Sequence, residues 1–180
     1  MQLPVPAVVV NPGNGSKWTH VFELIAFRSG VFIWTAMAVA VDKINGKANE
    51  TNKLIYLPGR TLHADSLVVF GVLHFVYTGN IATLILHWIP APLFWVYFVG
   101  VAFMATRFSL FIPRIAKLST SLPSVMFFLW AVLLHISRVV ANLNSEPERT
   151  SLFVALTMGA ISLQIAGLAS LTRKKLLLIR

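Results

Sequence analysis

Residues 122–141 read LPSVMFFLWAVLLHISRVVA. Within these 20 positions Arg138 is the only side chain with a fixed charge. A helix that crosses a bilayer needs about 20 mainly apolar residues. The run shows no alternation of apolar and polar positions, which excludes a β-barrel strand. The stretch therefore predicts a transmembrane helix. Its two ionisable residues, His135 and Arg138 near the C-terminal end, are three apart and fall on one helical face.

Working outward, four further stretches read the same way. They are Val21–Val41, Leu62–Thr78, Leu93–Ile112 and Leu152–Leu171. The expected fold class is an all-α integral membrane protein with five spans. Thr78-Gly79-Asn80 predicts a turn at the end of the second span. The apolar stretch Ile81–Leu86 is too short to cross and predicts an interfacial or re-entrant segment. Pro90, Pro92, Pro113, Pro123 and Pro147 are expected in connections or first helical turns, where a missing N–H costs least.

The whole chain agrees with this reading. It has 180 residues, is 57% hydrophobic and only 12% charged, and its mean hydropathy is +0.76. Ordinary soluble domains are about 25% charged. A disordered chain is excluded as well, because it needs low hydrophobicity. The net charge of +9 would point to nucleic acid in a soluble protein. Here it reads as a topology signal, and no nucleic-acid partner is expected. Cytoplasmic loops of membrane proteins collect Lys and Arg. With five spans, 11 of the 15 basic residues fall on one side: Lys43, Lys47, Lys53, Arg60, Arg107, Arg114, Lys117, Arg173, Lys174, Lys175 and Arg180. Lys17, Arg138 and Arg149 fall on the other, and Arg28 lies inside the first span. The N-terminus is expected outside and the C-terminus in the cytoplasm. A four-span reading without Leu62–Thr78 breaks that asymmetry. The basic tail after Leu171 reads as an anchor on anionic lipid.

A repeat accompanies this pattern. At an offset of 131, Val8, Val9, Asn11, Thr19 and Phe22 match Val139, Val140, Asn142, Thr150 and Phe153. The first span is thus read as a duplicate of the last.

Several segments in order carry a resemblance. They are Gly59-Arg60, residues 69–75 (VFGVLHF), Ala82-Thr83-Leu84 and residues 88–102 (WIPAPLFWVYFVGVA). Then follow residues 126–130 (MFFLW), Leu133-Leu134-His135, Arg138-Val139 and Thr150–Ala155. Over about residues 59–169 the chain resembles the DoxX-like family of small bacterial membrane proteins. The resemblance implies a four-helix membrane bundle at 59–180, preceded by a segment, 1–58, that contributes one more helix. It also implies a multi-pass protein of the bacterial cytoplasmic membrane. Some members are linked to thiosulfate or sulfur oxidation with quinone, or to membrane redox complexes.

Ionisable residues inside a bilayer are costly, so each is a candidate site residue. His20, Glu23, His74, His87, His135 and Arg138 all fall toward the expected outer end, and His63 alone falls on the cytoplasmic side. His74, His135 and Arg138 match the family's motif and are the candidate cofactor-binding residues. Histidine passes protons near neutral pH, and arginine beside it could hold a quinone carbonyl or an anion such as thiosulfate. Trp88, Trp95 and Trp130 could flank a headgroup. The competing structural reading has the histidines bonding across helices and Arg138 snorkelling to headgroups. Haem on His74 and His135 is a sharper alternative with nothing else to mark it. No metal ligand set is legible. Arg107 is expected to snorkel, and Asp65 to cap the second helix or pair with Arg60. Gly71, Gly100, Gly159 and Gly167 are expected at close helix contacts.

The chain has no cysteine, which excludes disulfides, thiolate nucleophiles and Cys-ligated metals. No Walker, dinucleotide-binding or HExxH motif is present. The expected function is an accessory or quinone-interacting subunit of a sulfur-linked membrane redox system, with electron chemistry left to a membrane or periplasmic partner. The alternative is a non-catalytic scaffold or small-solute handler.

Overall fold

The computed structural model describes residues 15–44, 52–110, 112 and 115–178. Among these there is no strand. Helix α1 is Gly15–Ile44, α2 is Asn52–Val76, α3 is Thr78–Ala82 and α4 is Pro92–Ser109. A long segment follows, made of α5 (Ala116–Trp130), a π-helical stretch (Ala131–Ile136) and α6 (Ser137–Ala141). Helix α7 is Glu146–Leu178. A helix satisfies its own backbone hydrogen bonds, which is what lipid demands of an apolar run.

Four stretches are long and apolar enough to cross a membrane: His20–Val39, Pro92–Ser109, Lys117–Ala141 and Glu146–Ser170. The protein is a multi-pass helical membrane protein. Helix α2 has 25 residues and so spans about 37 Å, more than the roughly 30 Å hydrocarbon core. Its stretch 53–65 holds Lys53, Arg60, His63 and Asp65, and the helix is not among those four stretches.

The helices close into a ring: α1 packs on α2, α2 on α4, α4 on α5, α5 on α7, and α7 on α1. On α1, Ala26, Ser29, Ile33 and Ala36 are buried at helical spacing, while Val31 and Trp34 are each 67% exposed on the opposite face. That is the pattern of a lipid-facing helix with one packed stripe. The position 58/59 lies inside α2, and α1 is part of the ring. Helices α1 and α7 begin at Gly15 and Glu146, which are 131 residues apart, the offset of the sequence repeat.

Two apolar clusters fill the interior. One joins Ile33, Ala64, Leu110, Ile161 and Ile165. The other joins Ala26, Leu67, Phe70, Val99, Phe103 and Met158. Helices α2 and α4 approach backbone to backbone: a Cβ on Gly71 would lie 2.8 Å from the Gly100 carbonyl oxygen. Gly159 also makes the expected close contact, and its carbonyl accepts from Ser124 Oγ at 2.9 Å. Gly167 does not, since the nearest atom to its added Cβ would be Met37 Cε at 4.0 Å.

Several local expectations need correction. The break after α2 falls at Tyr77, and Thr78-Gly79-Asn80 is helical rather than a turn. Pro123 lies inside α5, because that helix starts six residues before Leu122. Pro90, Pro92 and Pro147 sit where expected, while Pro113, and the repeat residues Val8, Val9 and Asn11, lie outside the described residues. Arg107 does not snorkel: its Nε donates to Asp65 Oδ1 at 2.8 Å, tying α4 to α2. Asp65 therefore neither caps α2 nor pairs with Arg60, which sits over the Tyr56 ring at 5.5 Å. An ion pair offsets the cost of two charges near the bilayer better than either residue alone. His63, expected toward the cytoplasmic end, is only 1% exposed in the bundle interior. Its Nε2 is 2.9 Å from Ser162 Oγ on α7, and its Nδ1 has no partner.

Candidate functional site

At the end of the bundle where α1, α4 and α7 begin and α2 and α6 end, the helices do not close. They leave a mainly apolar cavity of about 550 Å3. Ligand sites range over about 300–1,000 Å3. Its floor is the apolar cluster of Phe70, Val99, Phe103 and Met158, and the short helix α3 with residues Leu84 and Ile85 covers one side. All five long helices contribute to its wall.

His74, His135 and Arg138, from three separate segments, all line this one cavity. So do Trp95 and Trp130, whose rings meet edge to face at 5.9 Å. Trp88 and His87 do not line it; both sit exposed in the α3–α4 connection.

His74 is in the last turn of α2. Its Nδ1 is 2.7 Å from the Phe70 carbonyl oxygen, four residues back. A carbonyl can only accept, so Nδ1 carries the proton and Nε2 of the neutral ring is an acceptor. Phe103 meets the ring edge at 5.5 Å and holds its orientation. His135 lies in the π stretch. Such a stretch widens the helix and recurs at functional sites. Its Nδ1 is buried and unpartnered. Buried polar atoms are normally satisfied, so an orphan marks a place where a further group fits.

Arg138 is committed to a carboxylate. Its Nε donates to Glu148 Oε2 at 2.7 Å, and its Nη2 donates to Glu148 Oε1. This bidentate pair joins α6 to the first turn of α7 across a four-residue connection. Nη1 also donates to the Leu84 carbonyl at 3.3 Å, anchoring the cavity's cover. A guanidinium has five N–H groups. Three are used, which leaves two. The charge of Arg138 is balanced within the site, so the cavity is not built around a free cation.

Two acidic residues join the site: Glu23, which the sequence already put at this end, and Glu148, which it did not. Glu148 had a legible signal: opposite charges ten residues apart, flanking a short polar loop between helices. Glu23 lines the cavity from α1, and its Oε2 is 3.2 Å from His20 Nδ1. The π stretch had no signal, since its residues are ordinary helix formers. Trp95 is held by an Nε1 hydrogen bond to the Pro90 carbonyl at 3.1 Å. Nearby, Ala91 takes a left-handed conformation (φ 52°) as the chain turns into α4. A non-glycine residue there costs about 1–2 kcal/mol, and such strain concentrates at functional sites.

Comparison with protein-family models, with curated proteins and with solved structures gave no match.

Proposed function

We propose that this chain is a DoxX-like protein of the bacterial cytoplasmic membrane that holds a quinone-type headgroup in the cavity. In this reading it has five spans, with α2 among them, the N-terminus outside and the C-terminus in the cytoplasm. The cavity then opens in the outer leaflet. The protein serves as an accessory subunit of a sulfur-linked membrane redox system, and a partner performs the electron transfer.

The observation that carries this reading is the convergence of His74, His135 and Arg138 on one largely apolar cavity. The apolar aromatic wall suits a ring, and the two remaining Arg138 N–H groups suit a carbonyl oxygen. The Arg138–Glu148 pair favours a neutral headgroup over thiosulfate, because an anion would have to compete with a bidentate carboxylate.

One observation favours the scaffold reading. Arg138 bonds α7 and the α3–α4 connection together, which is a structural task in itself. A single titration separates the two. Decylubiquinone added to the protein in nanodiscs should quench Trp95 and Trp130 saturably. His135→Leu should weaken that binding roughly tenfold while leaving expression and folding intact, because its unpartnered Nδ1 can carry the proton that a quinone carbonyl accepts, whereas the acceptor-only His74 should matter little for the oxidised ring. Quenching that is linear in quinone, or unchanged in His135→Leu, would discard the binding reading and leave the scaffold.

A further inference from the structure

We infer that the cavity selects a hydroxylated ring, a phenol or hydroquinone, over the corresponding quinone. This rests on the headgroup reading above and sharpens it. The argument is a count of what the polar groups of the cavity have left to offer.

His74 offers Nε2, an acceptor, because its Nδ1 proton is engaged with the Phe70 carbonyl. Glu23 offers carboxylate lone pairs beyond its contact with His20. Ser151 has spent its proton on the Pro147 carbonyl at 2.9 Å and can only accept. On the donor side stand the two remaining N–H groups of Arg138, and the unpartnered Nδ1 of His135 can take either role. The acceptors come from α2, α1 and α7, so they do not depend on a single helix. The site thus asks its occupant both to donate and to accept. A quinone has only acceptor oxygens. It can meet Arg138 but gives no proton to the half-buried acceptors His74 and Glu23. A hydroquinone oxygen can accept from Arg138, and its O–H can donate to His74 or Glu23.

Sites whose buried groups require a hydroxyl discriminate strongly against analogues that lack it, because those groups are left without partners. The inference also explains why α1 belongs to the site. Without α1 the cavity loses Glu23, one of its two strongest candidate acceptors.

The test is competitive binding in nanodiscs under argon, read by fluorescence of Trp95 and Trp130. The probes are decylubiquinol, decylubiquinone and the O-dimethyl ether of the quinol, which keeps shape and oxygens but has no O–H. The quinol should bind at least tenfold tighter than either. That ratio should fall in Glu23→Leu and in His74→Leu and approach one in the double variant, with far-UV circular dichroism unchanged. A quinone or ether that binds as tightly as the quinol overturns the hydroxyl preference and leaves the headgroup reading standing. A preference that survives in both variants overturns the assignment to Glu23 and His74. If no probe binds saturably, the headgroup reading and this inference fall together.

Discussion

Replacing Gly71 by alanine tests how the ring of helices is held. In lipid there is little hydrophobic drive between helices, so close packing must supply the stability. The added Cβ would stand 2.8 Å from the Gly100 carbonyl oxygen and 3.1 Å from Met104 Cγ. A comfortable C···O contact is about 3.3–3.6 Å. The oxygen belongs to backbone and cannot rotate away, so α2 and α4 must part locally by roughly 0.5 Å. Overpacking of that kind costs about 1–3 kcal/mol. Alanine also favours the helix over glycine by about 1 kcal/mol, which hides part of the clash. Gly167→Ala supplies the control, because its Cβ would meet nothing nearer than Met37 Cε at 4.0 Å. The helix-propensity gain is common to both, so their difference isolates the clash. Unfolding by SDS in bicelles, followed by far-UV circular dichroism, should place Gly71→Ala about 1–3 kcal/mol below Gly167→Ala. Two variants with the same stability would refute the claim that α2 and α4 are in backbone contact.

Two other outcomes are expected. His63→Leu and Ser162→Ala should each destabilise by about 1–3 kcal/mol, since each orphans a buried polar partner. The double variant should recover most of that loss, and additivity of the two losses would show that the pair is not coupled. For topology, the absence of native cysteine makes any introduced one the sole label. Ile112→Cys should react with a membrane-impermeant maleimide only after cells are opened, and Asn144→Cys in intact cells; the reverse pattern would invert the proposed orientation.

Much of the fold was legible because lipid imposes a simple rule. Runs such as 122–141 have no alternative to helix in a bilayer, and their neighbours α1, α4 and α7 follow the same rule. That Ile81–Leu86 does not form a long helix was also readable, since a stretch of six residues is too short to cross. The errors cluster where the decision depends on a partner helix. Arg107 and Asp65 are 42 residues apart, and each has a plausible local solution when considered alone. His63 stands at the start of the second expected span, where its partner cannot be read, yet Ser162, 99 residues later, gives it a buried one. Gly167 matched the small-residue pattern, but among the described residues nothing comes nearer to its added Cβ than Met37 Cε at 4.0 Å.

The site divides the same way. Its histidines and arginine were singled out by their cost in a membrane, which is a property of each residue by itself. What the sequence by itself determined is the list of helices and the residues too expensive to be idle. What only the tertiary structure decided is which of those residues share a cavity, and that Arg138 already has its carboxylate. It also decided that α1 supplies Glu23 to the same wall. Hydropathy is local and additive along the chain, so one sequence carries it. Charge pairing, hydrogen-bond donors left over and the shape of a void depend on distances between helices, and those exist only once the ring has closed.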